Sequence, residues 1–205
     1  MVAARRTLDD GSPVGRVMMA AVACCERWGM DKVTVDDIAA AAGISRATLY
    51  RLFPGGKDVL FEQIRVRETL YFFEFLDEQV VGASSLEELV VRVLVAATSE
   101  LRADDRLQVA LASRPGEVLS TLGFSDVPRI IETATEYLAP KAEQFLSRTE
   151  ASRLAEWLTR VVLSYFFVPS AAVDLAEVES ATRFARQFVL SAFAPPSHSE
   201  PVRTA

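Results

Sequence analysis

From Val14 to Trp28 the apolar residues Val14, Val17, Met18, Ala21, Cys25 and Trp28 recur at steps of three and four. That spacing lays one face of an α-helix on a core, and Gly29 supplies a natural stop. The next stretch, VTVDDIAAAAG, repeats the design on a smaller scale. Thr34 and Asp37 have the spacing of a capping box, Val33 and Ile38 that of a hydrophobic staple, and the two acids suit the positive end of a helix. A second helix is predicted from Val35 to Ala42, closing at Gly43. In GISRATLYRLFPGG, Ser45 is the cap and Ile44 with Leu49 the staple, while Pro54 disfavours helix for the residue before it. The third predicted helix therefore spans only Arg46 to Leu52. Leu49 and Phe53 face inward, which turns Arg46, Ala47, Tyr50 and Arg51 outward.

The remaining chain reads as longer helices. One is predicted from Lys57 to about Val81, carrying Leu60, Ile64, Leu70, Phe73 and Leu76 and ending at Gly82. Ser85 and Glu88 predict a capped helix reaching about Ala103. Arg114-Pro115-Gly116 and Gly123 break the following region into two short helices. Ser125 or Asp126 opens a segment to about Leu146, in which Pro140 introduces a kink. Leu154, Trp157, Leu158, Val161, Val162, Tyr165 and Phe166 trace one stripe. A second comprises Leu175, Val178, Ala181, Phe184, Ala185, Phe188 and Ala192. No alternating run calls for a sheet, so the fold class is all-α.

Charge changes the picture by its distribution. The 205-residue chain has a formal net charge of -6, yet residues 1–67 hold ten Lys or Arg against eight Asp or Glu, whereas residues 68–205 hold twelve against twenty. Only the front third suits a polyanion. Half of the residues are hydrophobic and 24% are charged, a globular composition. No apolar run is long enough to cross a membrane, and acids follow the N-terminal arginines where a secretory signal needs an apolar stretch. These features imply a cytoplasmic protein. Adjacent Cys24 and Cys25 suit buried thiols better than a disulfide or zinc site. His198, the single histidine, lies in a Pro- and Ser-rich tail.

Two short helices joined by a Gly-containing turn form a helix-turn-helix, whose second helix enters the DNA major groove. An arginine there bonds two guanine acceptors, a threonine meets base edges or a thymine methyl, and hydroxyl groups hold phosphates. An ordinary helical hairpin with solvated arginines has the same spacing. An enzyme is disfavoured: the chain shows no Glu-x-x-His element, nucleophile elbow, P-loop or dinucleotide fingerprint. No metal or other cofactor is implied. A helical interaction protein or a ligand-independent regulator is the alternative reading.

VTVDDIAAAAGISRATLYRLFPGGKDVL resembles the DNA-binding region of the TetR family of bacterial transcriptional regulators, with its thr-val-x-x-ile-ala, ala-gly-x-ser and thr-leu-tyr-x-x-phe elements in register. The resemblance covers about residues 14–64. It implies that Thr34, Ser45, Tyr50 and Lys57 hold phosphates and that Arg46, Ala47, Thr48 and Arg51 face bases. One departure is FPGGK, which has an extra residue compared with the usual phe-x-x-lys. The implied organisation is a flexible arm at 1–13, a three-helix helix-turn-helix domain at 14–56, a helical regulatory and dimerisation domain at 57–194, and a flexible tail at 195–205. A long helix joins the two domains.

The same resemblance implies a homodimer on a palindromic double-stranded operator, acting as a repressor and released by a small-molecule effector. Candidate pocket residues are Phe72, Phe73, Phe124, Tyr137 and Trp157. Candidate dimer-interface residues are Leu154, Trp157, Leu158, Val161, Val162, Tyr165, Phe184 and Phe188, because the last two helices of the resembled family pair with those of a second subunit as a four-helix bundle.

Overall fold

The computed structural model describes Leu8, residues 10–104, Gln108 and residues 126–193; within these the chain is helical, with no strand. In order come α1 (Pro13–Trp28), α2 (Val35–Ala41), α3 (Arg46–Leu52), α4 (Lys57–Val80), α5 (Leu86–Ala103), α6 (Asp126–Ala142), α7 (Arg148–Phe167) and α8 (Val178–Phe184). The two short helices expected between Ala103 and Ser125 lie outside the described residues. The chain divides into one unit of Met1–Asp77 with Arg102–Ser113 and another of Glu78–Leu101 with Arg114–Ala205. The division thus falls inside α4.

Local chemistry sets the helix starts in the first unit. Ser12 caps α1 by accepting from the Gly15 amide at 2.9 Å. Asp10 in turn accepts from the Ser12 amide at 2.9 Å and pairs with Arg67 of α4. Leu8 is fully buried in the same core, so the chain is anchored well before Val14. Thr34 and Asp37 form the predicted capping box on α2, with Val33 and Ile38 both buried beneath it. The core gathers Val17, Met18 and Ala21 of α1, Ile38 of α2, Leu49 and Phe53 at α3, and Leu60, Phe61 and Ile64 of α4. Cys24 is buried in it and Cys25 half-buried, both as free thiols. Burial pushes both thiols above their ordinary pKa.

Further along α4, Leu76 is buried but Leu70 is 58% exposed. α5 starts at Leu86, directly after the predicted Ser85 cap. Glu88 donates its amide to Ser85, but its carboxylate accepts from the amide and hydroxyl of Ser84.

In the second unit α5 buries Leu89, Val90, Val93, Leu94, Ala96 and Ala97. α6 packs along α7, with Ile131, Ala134 and Leu138 buried on one and Leu154, Leu158, Val162 and Phe166 on the other. The segment expected to reach Leu146 stops at Ala142, with Pro140 inside it. A Ser147–Glu150 capping box then starts α7, a signal that the stripe beginning at Leu154 had concealed. α8 continues as a π-helix (Ala185–Leu190) and a last turn, Ser191–Phe193. Arg186 in the π segment donates to Glu87 at 3.0 and 2.7 Å. None of the helices among the described residues is long and apolar enough to cross a membrane.

Leu49 is fully buried although it belongs to a seven-residue helix. Leu49→Ala should therefore cost about 2 to 5 kcal/mol, measured by urea unfolding of the full chain.

Candidate nucleic-acid interface

A seven-residue helix has little stability of its own, so the aim of α3 depends on its ends and its buried side. Ser45 Oγ accepts from the Thr48 amide at 3.1 Å and lies 2.9 Å from the Thr48 hydroxyl. The Phe53 amide closes the other end on the Leu49 carbonyl at 2.8 Å. Beneath, Leu49 and Phe53 are fully buried. These fixings leave Ser45, Arg46, Ala47, Tyr50 and Arg51 exposed and Thr48 half-buried. The predicted face is brought together on one side of α3.

Within that face the charges are not equivalent. Arg46 donates from Nη1 to Asp36 Oδ2 at 3.1 Å and to Oδ1 at 3.4 Å. Its guanidinium carbon also lies 5.6 Å from the centre of the Tyr50 ring, within cation–π range. The Tyr50 hydroxyl and then the Asp36 carboxylate favour the charged form, raising the Arg46 pKa. Arg51 is exposed and has no hydrogen bond or ion pair with another described residue. Asp36 is a functional candidate that sequence reasoning treated only as a helix-start acid. Ten residues separate it from Arg46, and the α2–α3 crossing alone makes them neighbours.

Thr34 lies at the start of α2. Its hydroxyl donates to Asp37 at 2.6 Å while accepting from the Asp37 amide at 3.2 Å. Its hydrogen-bonding capacity is thus turned toward its own cap, and the Asp37 carboxyl is held below its ordinary pKa by the hydroxyl and the backbone amide of Thr34 that donate to it. Lys57, at the first position of α4, donates to the Met30 carbonyl at 2.5 Å, and its ammonium lies 6.0 Å from the Phe61 ring centre. In this structure Lys57 ties the turn after α1 to the start of α4.

The extra loop residue has a physical account. Gly55 and Gly56 adopt φ of 115° and 69°, conformations that cost most residues energy. The Gly56 amide bonds the Phe53 carbonyl at 2.8 Å, and its own carbonyl accepts from Leu60 at 3.1 Å. Gly56 thereby joins the end of α3 to the start of α4. A Cβ at Gly56 would lie 3.0 Å from Tyr50 Cε1. The bare glycine lets the tyrosine ring lie against the loop while its other contacts meet Arg46.

The remaining candidates fall in both units. Phe72 and Phe73 meet edge to face in the first unit, with centres 5.6 Å apart. Tyr137 lies under Lys141 at 3.7 Å and Trp157 stacks on Phe184 at 6.4 Å in the second. Phe124 lies outside the described residues. A separate open cleft of about 590 Å³ between α6 and α7 is lined by Val127, Pro128, Ile131, Glu132, Thr135, Glu136, Glu156 and Arg160. Of the eight interface candidates, Leu154, Leu158, Val162 and Phe184 are already buried within the chain. Trp157, Val161 and Tyr165 are half-buried and Phe188 is 50% exposed, resting on Phe184 at 5.2 Å.

Residues 17–64 match the profile of bacterial regulatory proteins, tetR family. An uncharacterized HTH-type transcriptional regulator of Mycobacterium tuberculosis is 29% identical over 158 residues, spanning 76% of this chain and 81% of that protein. A relative described in the same words from Mycobacterium bovis shows the same identity and coverage. In fold, the chain is similar to the crystal structure of the TetR family repressor AlkX from Dietzia sp. strain DQ12-45-1b, implicated in biodegradation of n-alkanes. The TM-score is 0.57 at 24% identity, covering 88% of this chain and 96% of AlkX.

The loop account is checked by comparing two glycines of nearly equal φ. Gly43, at 67°, has open space where a Cβ would stand, whereas Gly56 faces Tyr50. Gly43→Ala should lose only the conformational cost, about 1 to 2 kcal/mol. Gly56→Ala should lose more, and thermal unfolding of the two variants gives the difference.

Proposed function

We propose that this chain is a regulator of the tetR family of bacterial regulatory proteins, a cytoplasmic repressor that binds a palindromic operator as a homodimer. The observation that carries this reading is the outward face of α3, held by a cap and a buried wedge with Arg46, Ala47, Tyr50 and Arg51 exposed. Arg46, Ala47, Thr48 and Arg51 face the bases. Thr34, Ser45, Tyr50 and Lys57 hold the phosphate backbone. For Lys57 and Thr34 this requires exchanging the Met30 carbonyl and the Asp37 carboxylate for phosphate oxygens.

One helix of seven residues touches few base pairs, so a second reading head on a two-fold axis supplies the missing specificity. Two heads read half-sites about 34 Å apart, or a permitted multiple. The surface that supports pairing is the aromatic group on α7 and the α8 extension, where Trp157, Val161, Tyr165 and Phe188 remain available to a second copy. The cleft between α6 and α7 supports the small-molecule effector, since about 590 Å³ is within the range of small-ligand sites. Such an effector releases DNA only by binding better to the chain's unproductive head spacing than to the DNA-bound one.

Selection of bound duplexes from a random pool tests the DNA reading, with recovery of a palindrome expected. On that site Arg51→Ala should cost about 1 to 3 kcal/mol and relax one position. Equal loss on selected and random DNA would make Arg51 a phosphate contact. For the dimer, Phe188→Glu should shift the chain toward monomer in sedimentation velocity; an unchanged dimer would place the interface elsewhere.

A further inference from the structure

The two arginines of the α3 face differ in what holds them. Arg51 is unpaired among the described residues, whereas Arg46 gives Nη1 to both oxygens of Asp36, at 3.1 and 3.4 Å. The side chains of Arg46 and Asp36 are 60% and 66% exposed, so water screens the pair and it contributes little to folding. Its position gives it another use. The carboxylate stands on Arg46 as a DNA phosphate would, with an anionic oxygen at hydrogen-bonding distance from the guanidinium.

A phosphate and a base edge then meet this pair on different terms. To take Arg46, a phosphate must displace Asp36 or approach it, and the two anions repel. A guanine edge offers the neutral acceptors O6 and N7. Arginine carries five donors in a fixed fork, so Nε and Nη2 remain for a base while Nη1 stays on the carboxylate. The Tyr50 ring, 5.6 Å from the guanidinium carbon, limits where that fork swings.

We propose that Asp36 is a specificity-determining residue: by holding Arg46 it withholds one cation per reading head from backbone phosphates while leaving that arginine competent to read a base. Asp36 acts through Arg46 and is a positioning residue. The inference rests on α3 being the DNA-reading helix.

The test is equilibrium binding of the full-length protein, by fluorescence anisotropy across a salt series, to the duplex selected from the random pool and to a scrambled duplex of equal length. The wild-type ratio comes first: no preference for the selected duplex would overturn the DNA reading, and this proposal with it. Given a preference, Asp36→Asn should strengthen scrambled-DNA binding about threefold to tenfold at low salt, the scale of freeing one exposed pair in each of two heads. The selected duplex should gain less, so the ratio falls. The logarithmic salt dependence on scrambled DNA should steepen by about one per head.

Arg46→Ala separates this from simple removal of a negative charge. In that background Asp36→Asn should change scrambled-DNA binding by less than about twofold, since the cation it released is gone. Asp36→Glu, which keeps the carboxylate, should stay closer to wild type than Asp36→Asn. An unchanged ratio in Asp36→Asn, or an equal gain with and without Arg46, would overturn the proposal.

Discussion

The wedge formed by Leu49 and Phe53 is the contact on which the rest of the candidate interface depends. A seven-residue helix forms too few backbone hydrogen bonds to offset the cost of starting it, and the chemistry on its outer side requires it to hold one direction. Both side chains are fully buried, in a core built from α1, α2 and the first turns of α4. The hydroxyl of Ser45 and the Gly56 amide then fix the two ends. Without the wedge, neither end would determine which residues face outward.

The same wedge explains why the first unit includes more of α4 than its opening turn. Leu60, Phe61 and Ile64 are buried against the three short helices, and Arg67 reaches back to Asp10 and Met18. α3 and the first turns of α4 therefore share one core.

Much of the first unit was legible because its signals are local. A capping box needs a hydroxyl and a carboxylate three residues apart, a staple needs two apolar side chains five apart, and a proline stops a helix one residue earlier. Thr34 with Asp37, Val33 with Ile38 and the end of α3 at Leu52 follow from these rules. Other features needed the backbone path. The Glu88 carboxylate takes the amide and hydroxyl of Ser84, while Ser85 receives the Glu88 amide, and Leu70 is exposed on the same helix that buries Leu76. The π segment at Ala185–Leu190 has no residue signature comparable to a cap.

By itself the sequence determined the all-helical class, the limits of the three short helices and the outward set on α3, since each depends on residues within about two helical turns of one another. Only the tertiary structure decided what those outward residues touch. It brought Asp36 onto Arg46, Met30 onto Lys57 and Gly56 against Tyr50. These partners are six to 27 residues apart, and their meeting depends on how α2 crosses α3 and where the Pro54-Gly55-Gly56 turn sends the chain. Charge pairing and ring contact fall off over a few ångströms, so spacing along the chain could not reveal them.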